Sequence, residues 1–365
     1  MRLLLTPLIA LLNRLKFSAK FTLMAGLFSL PLVYLLLLTL SHLNETYQTA
    51  RNEEQGIRSL SVLQPLLLGV QRHRGLSNAW LSGDTSARSL LDKAAADTDR
   101  ALDAILGQPF FGTHEPIKSI ASKWRTLKNQ GASTPPAQSF SAHTALVKEV
   151  MTLSEEIADH SQLTLDPVMD SYYLQNAIIL QAMPLTEVSG QLRGKASGIM
   201  TRKAVTPEEK VVIATLSAQA KDYSEHLTTS LQRALTYNPA LQFLMPRLDA
   251  LSTTLTRVNE LTLREVMAEQ FSLSATDYFA RATAPIDQTL SLLEGASTFL
   301  TGLLTERRTS ARAAIVVSLV LAAVLLGLMG ALASLRNASG RDWIGSGYRA
   351  GQGCRGSGGR LPDNR

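Results

Sequence analysis

The sequence predicts an all-α protein, long antiparallel helical bundles set between two transmembrane helices. Three observations carry this. Leu and Ala dominate the apolar residues and aromatics make up only 6% of the chain; unbranched side chains lose little rotamer freedom in a helix. Two runs, 21–44 and 313–335, contain no Asp, Glu, Lys or Arg. Between them, apolar residues recur at three- and four-residue spacing, and strand-like alternation is absent over any useful length.

The elements follow in order. Residues 1–20 form a basic N-terminal stretch, Leu-rich and carrying Arg2, Arg14, Lys16 and Lys20 without an acidic residue. It is expected to lie along the inner membrane surface. Residues 21–44 are long enough to span a bilayer, which takes ~20 apolar residues. They exceed the usual apolar core of a signal peptide, and no small-x-small cleavage site follows, so the run is taken as an uncleaved anchor. The basic residues before it and Glu45, Glu53 and Glu54 after it place the N-terminus in the cytoplasm. The second span, 313–335, then returns the chain there, although Arg307, Arg308 and Arg312 stand on its outer side.

Residues 45–312 form one extracytoplasmic helical domain. Leu63, Leu67, Val70, Arg74, Ser77 and Leu81 make a helix seam, continued in the next helix by Leu90, Ala94, Ala101 and Ile105. Breaks are expected at Gly107 to Pro109, Gly131 to Pro136, Thr206–Pro207, Asn238–Pro239 and Pro285. Thr206, Pro207 and Glu209 make a helix start with a Thr cap, Pro in the first turn and Glu three residues on. The first and last helices are expected to run unbroken into the spans. Tyr172 and Tyr173 read as core. Residues 336–365, RNASGRDWIGSGYRAGQGCRGSGGRLPDNR, are Gly- and Arg-rich without hydrophobic period and read as a disordered tail.

Several function classes drop out. The net charge is +6, but the basic residues are spread rather than clustered with aromatics, against nucleic-acid binding. One cysteine, Cys354, excludes an internal disulfide framework and a thiolate zinc site. The six histidines show no metal-ligand spacing. No phosphate loop, dinucleotide fingerprint or nucleophile elbow occurs, so no catalytic residue, metal or cofactor is expected.

Residues 71–81 and 190–200 echo each other: Arg74 aligns with Arg193, Gly75 with Gly194, Ser77 with Ala196 and Trp80 with Ile199, which suggests two related halves. Arg74 falls on the seam and so points inward. A buried guanidinium needs a partner. It is either an internal carboxylate such as Glu187, Asp166 or Asp170, or an anionic ligand held by charge-assisted hydrogen bonds. Arg193 shares its face with Thr186, Ser189, Ala196 and Met200, a small, mildly polar surface suited to a pocket. Arg72 and Lys195 flank these positions and read as solvated.

The stretch 66–84, LLLGVQRHRGLSNAWLSGD, resembles the start of the nitrate- and nitrite-sensing (NIT) domain family, which carries a Leu-Gln-x-Glu-Arg-Gly pattern; His73 stands at the Glu position. Residues 187–200 followed by VTPEEK resemble that family's second half, and 165–188 resemble a segment of bacterial chemoreceptors. The likeness runs from about 59 to 235. It implies an all-helical domain that binds small oxyanions such as nitrate or nitrite through arginines, here Arg74 and Arg193, with Arg72 and Ser77 beside them. It also implies a homodimer in the bacterial inner membrane with the sensor domain in the periplasm. Receptors of this kind continue past the second span into a HAMP linker and a methyl-accepting, kinase or cyclase output. A shifted reading frame through 342–361 permits a HAMP-like ending, so the tail is expected to be either a short basic segment or a frameshifted receptor. A non-sensing structural bundle is the remaining alternative.

Overall fold

A computed structural model of the chain describes residues 17–108, 111, 114–130 and 133–352, and the side chains among them except 17, 18, 21, 22, 25 and 332–352. The membrane-surface stretch expected before residue 17 lies outside the described residues, as do 353–365. Every regular element among the described residues is helical. In chain order these are α1 (Phe17–Leu81), α2 (Ala87–Leu106), α3 (Glu115–Lys128), α4 (Pro136–His160), α5 (Met169–Asn176), α6 (Met183–Arg202), α7 (Pro207–Tyr237), α8 (Met245–Thr262) and α9 (Ala275–Gln352). Short 3-10 turns occupy Leu163–Leu165 and Pro239–Leu244, and wide π-turns occupy Ala177–Ala182 and Leu263–Met267.

The chain divides into two compact units. One comprises Met1–Tyr47 with Thr309–Arg365. Its apolar side chains, such as Leu27, Leu32, Leu35, Val316, Leu321 and Leu325, are exposed. α1 and α9 thus contain segments long and apolar enough to cross a membrane, with none of the apolar window buried within the protein. These two segments are candidate membrane spans by length and composition, and since none of the window is buried they are not core helices of the bundle.

The other unit, Gln48–Arg308, is the helical bundle. One continuous core runs from Ile57 and Leu63 on α1 through Trp124, Leu146 and Val150 to Leu185 and Leu192 on α6, and on to Leu231, Leu251 and Leu304. α5 and α6 both pack along α7. The α7 start is a full capping box: Glu209 N donates to Thr206 Oγ1 (3.2 Å) and Thr206 N donates to Glu209 Oε2 (3.1 Å). Two backbone donors that the helix leaves unsatisfied are thereby paired.

Four local expectations are corrected. The buried row of α2 is Ala87, Leu91, Ala94, Thr98, Leu102 and Ile105, so Ala94 and Ile105 lie on the seam as expected, while Leu91 and Leu102 take the places expected for Leu90 and Ala101. Of the two tyrosines read as core, Tyr173 is partly buried against the core, whereas Tyr172 is 36% exposed and meets the Tyr173 ring edge-on. α9 runs through Pro285 without a break. Proline removes one ladder bond and one donor; buried Ala282 and Ile286 on either side hold the helix in place, and Thr289 Oγ1 donates to the Pro285 carbonyl (2.8 Å). α9 also continues to Gln352, where an irregular tail was expected from 336 onward.

A candidate anion site at two buried arginines

α1 and α6 lie side by side because α6 presents glycine where α1 and its neighbours press closest. A Cβ on Gly190 would stand 3.2 Å from Arg74 Nη2, and one on Gly194 would stand 2.8 Å from the Phe140 ring. Asn78 on α1 donates to the Gly194 carbonyl (3.2 Å). The backbone of α6 is therefore a wall against which both arginines are laid.

Arg74 is 1% exposed and Arg193 6%. Their surroundings repeat. The Arg74 guanidinium lies 5.0 Å from the Phe140 ring centroid and its Nη1 donates to Thr144 Oγ1 (3.1 Å), both on α4. The Arg193 guanidinium lies 4.3 Å from the Phe279 ring centroid and its Nη1 donates to Thr283 Oγ1 (2.8 Å), both on α9. Each Phe is the fifth residue of its helix and each Thr follows four residues later, on the same face. The echo seen between 71–81 and 190–200 thus extends to the helices that receive the two arginines.

The halves part in one respect. Arg74 holds Glu187, one of the three carboxylates offered by the sequence, as a fork: Nη1 to Oε1 (2.5 Å) and Nη2 to Oε2 (3.0 Å). Gln71 and Gln191 also donate to that carboxylate, at 3.0 and 2.7 Å. Arg193 has no carboxylate within ion-pair distance among the described residues. Glu187 lies six residues before Arg193 on α6, and the corresponding position six residues before Arg74 on α1 is Leu68. Two buried guanidinium groups and one buried carboxylate leave a net charge of +1 in the interior. Burial above all, then the charge of Arg74, pushes Arg193 down from 12.5 to about 10; Asp287 pulls upward and Arg72 downward. It stays a cation at neutral pH.

Arg193 borders a cavity of ≈ 340 Å³ between α6, α7, α8 and α9. Hydroxyls and an amide line it, Ser189, Ser217, Ser224 and Asn259 among them, with Lys221, Glu225 and Glu260 at its exposed rim. Three buried polar atoms there have no hydrogen-bond partner, Arg193 Nε, Ser217 Oγ and Asn259 Oδ1. Buried polar groups are nearly always partnered; of these three, Arg193 Nε and Ser217 Oγ can donate to an entering acceptor, while Asn259 Oδ1 can only accept. A cation, hydroxyls and a half-enclosed volume fit a small oxyanion.

The other candidates fall outside this cavity. Arg72 is exposed and acts on Arg193 only through its charge. Ser77 is buried on the seam and meets His73 Nδ1 (3.2 Å). Lys195, expected in solvent, is half-buried with its ammonium 4.8 Å from the Phe140 ring centroid. His73, at the position of the family's Glu, meets His143 (Nδ1 to Nε2, 2.8 Å). His143 Nδ1 lies 2.7 Å from the Ser139 carbonyl and must donate to it, so His143 Nε2 accepts from His73. Burial first, then the neighbouring cation-forming groups, pushes His73 down to about 3 and His143 down to about 4. The pair is neutral at pH 7 and adds no charge beside Arg74. The sequence reading missed the Phe-x-x-x-Thr repeat; the matching spacing at 140–144 and 279–283 was its available signal.

The fold is an all-helical bundle in which a buried arginine without an ion-paired carboxylate borders a polar cavity. The chain belongs to the family described as nitrate and nitrite sensing, NIT, whose sequence model matches residues 65–301. That span contains α2 through α8 whole, together with both arginines. Among solved structures, the NasR transcription antiterminator is similar at 15% identity, covering 81% of this chain and 82% of that one, with a TM-score of 0.39. The comparison with curated protein sequences finds no match.

Proposed function

We propose that this protein is the transmembrane input module of a chemotaxis-type receptor, that its bundle faces the periplasm, and that nitrate or nitrite binds at Arg193. The observation that carries the reading is the inequality of the two arginines. Arg74 keeps its own carboxylate in Glu187, and that group displays how an oxyanion is held against guanidinium, phenyl ring and threonine. Arg193 has the ring and the threonine without the carboxylate, and a cavity in front of it. An entering oxyanion takes the role that Glu187 plays at Arg74. It neutralises a buried charge that the fold otherwise carries uncompensated.

Membrane orientation is supported by the basic residues before the first apolar run. The chemoreceptor-like character of 165–188 supports the chemotaxis-type output. The signal path is α9, because Thr283 and Phe279, which hold Arg193, belong to the helix that also carries the second apolar run.

The test is titration of the full chain in detergent with nitrate, nitrite and chloride, followed by thermal unfolding and calorimetry. Nitrate or nitrite is expected to raise Tm, with a much weaker effect of chloride, and Arg193→Gln is expected to abolish the shift. Absence of a shift with every anion, or an undiminished shift in Arg193→Gln, overturns the assignment.

A further inference from the structure

α6 borders a second recess on its other side. Successive helical residues turn by about 100°. Ser189, Leu192 and Arg193 therefore share one face, which lines the cavity described above, while Gln191, Lys195 and Gly198 lie on the opposite face. That opposite face is one wall of a groove of ≈ 820 Å³, whose other walls are α4 and α7. The volume is of the size that holds an organic molecule, and far exceeds what a nitrate ion needs.

The lining is divided by chemistry. Phe140, Met151, Ile199, Val212 and Ile213 give an apolar floor. Thr144 and Gln191 are the nearby polar groups, and Lys195 is the half-buried cation. No carboxylate lies within ion-pair distance of Lys195 among the described residues. Its neighbour Glu187 does not serve it, because that carboxylate is already taken by Arg74, Gln71 and Gln191. Arg202 at the rim is paired with Glu209. Burial, and next the positive charge of Arg74, hold the Lys195 ammonium below the ordinary lysine range. A lysine on a surface normally extends its stem so that the ammonium reaches water. Here the ammonium stays over an aromatic ring inside a groove. Lys148 also lines the groove, without an ion pair among the described residues, but is exposed, so Lys195 is the cation held inside, and an apolar floor with such a group has the composition of an organic-ligand site.

We infer that this groove is a second ligand site, for an organic monocarboxylate whose carboxylate meets Lys195 and whose apolar body lies on Phe140, Met151 and Val212. Exposed Glu155 and Glu208 at the rim disfavour a ligand with further negative charge. The site is separate from the Arg193 cavity and does not rest on that proposal. The two share one helix, and Thr144 and Glu187, which line the groove, are the groups that hold Arg74. A ligand in the groove therefore acts on the α1–α6–α4 contact, and any coupling with the anion is reciprocal in affinity.

The experiment uses the full chain in lipid nanodiscs, titrated with benzoate, phenylacetate and hexanoate, with acetate as the carboxylate lacking an apolar body. At least one of the three is expected to bind tenfold or more tightly than acetate. Lys195→Gln is expected to weaken that binding at least tenfold, and Val212→Trp, which fills the groove, to abolish it. Both variants are expected to keep wild-type helix content and cooperative thermal unfolding, which shows that they are folded whatever the outcome at Arg193, and to keep the wild-type nitrate response. The inference is overturned if none of the three binds, if Lys195→Gln binds as wild type, or if Arg193→Gln rather than Lys195→Gln removes binding. Wild type that binds a carboxylate through Lys195 but shows no nitrate response would count against the Arg193 proposal alone.

Discussion

Replacing each arginine by methionine, which keeps apolar bulk and removes charge, should give opposite results. In Arg74→Met, Glu187 is left buried with only Gln71 and Gln191 as donors. Stranding one partner of a buried ion pair typically costs ~3–5 kcal/mol. For a domain of this size, ~2–4 °C per kcal/mol converts this to a fall of about 6–20 °C in Tm. In Arg193→Met no carboxylate is stranded. The displacement of the Arg193 pKa from 12.5 to about 10 means that the fold disfavours the charged form, by about 3 kcal/mol at ~1.4 kcal/mol per pH unit. Losing the Thr283 hydrogen bond and the stacking on Phe279 offsets most of this relief, at ~1.5–3 and ~1–2 kcal/mol. The net change is about zero, and Tm stays within about 3 °C of wild type. The assay is thermal unfolding of the full chain in detergent, without and with saturating nitrate. Nitrate should stabilise wild type and leave Arg193→Met unmoved. The double variant Arg74→Met with Glu187→Leu should recover most of what Arg74→Met loses, since an apolar pair removes both charges. Arg193→Met unfolding as early as Arg74→Met would refute the distinction between a satisfied and an unsatisfied guanidinium.

Two further outcomes are expected. Glu53 is fully buried, and burial above all, then Asp166, pushes it up to about 8 against the pull of Arg307. Its folded pKa lies above the unfolded 4.5, so the wild type should lose stability as pH rises from about 4.5 to about 8, by ~2–4 kcal/mol after allowance for screening. Glu53→Gln should flatten that slope in Tm measured between pH 5 and 9, and an unchanged slope counts against a proton on Glu53. Gly194→Ala places a methyl 2.8 Å from the Phe140 ring; overpacking of this kind should cost ~1–3 kcal/mol, and a neutral result in denaturant titration means that α4 yields freely.

The helical class and the two apolar runs were legible because they rest on composition and run length, which no tertiary contact needs to complete. The capping box at Thr206 was equally local. The inward direction of Arg74 followed from its place among Leu67, Val70 and Ser77, and Glu187 was among the named partners. The failures are those of neighbouring choices. Leu90 and Leu91 are chemically equivalent, and only the packing against α1 selects Leu91. Pro285 reads as a stop, yet the fold on both sides of it holds the helix together. The difference between the two arginines could not be read at all. It depends on which side of α6 faces α1, and so on whether residue 187 or 68 lies beside the opposing guanidinium. The π-turns at Ala177–Ala182 and Leu263–Met267 carry no composition signal that separates them from ordinary helix. The first of them immediately precedes α6 and contributes to its rotational setting, since each inserted residue turns the following helix by about 100°.

That rotational setting connects the anion to the rest of the bundle. Arg193 reaches α9 at Phe279 and Thr283. Twenty-four residues further along α9, about 36 Å at ~1.5 Å per residue, Arg307 ties the same helix to the start of the bundle. It donates to Asp166 (3.0 and 3.1 Å) and Ser171 (2.6 Å) and approaches Glu53 of α1 (3.3 Å). Arg308 lies 3.2 Å from Glu54, also on α1. α9 is therefore held at two places by arginines, one at the anion cavity and one where α1 enters the bundle. At the second hold Glu53 keeps its proton up to about pH 8, so Asp166 is the carboxylate that balances the Arg307 guanidinium, and Glu53 Oε1 is without a partner. An anion that draws Arg193 toward the cavity changes the load on Thr283. It can move α9 only by as much as its affinity differs between the two positions of that helix. A contact as over-determined as Arg74–Glu187 would resist such a shift. The marginal hold on Glu53, whose proton is poised near pH 8, is the contact that yields with little cost, so the α1–α9 junction at Arg307 is where movement of α9 should first be felt.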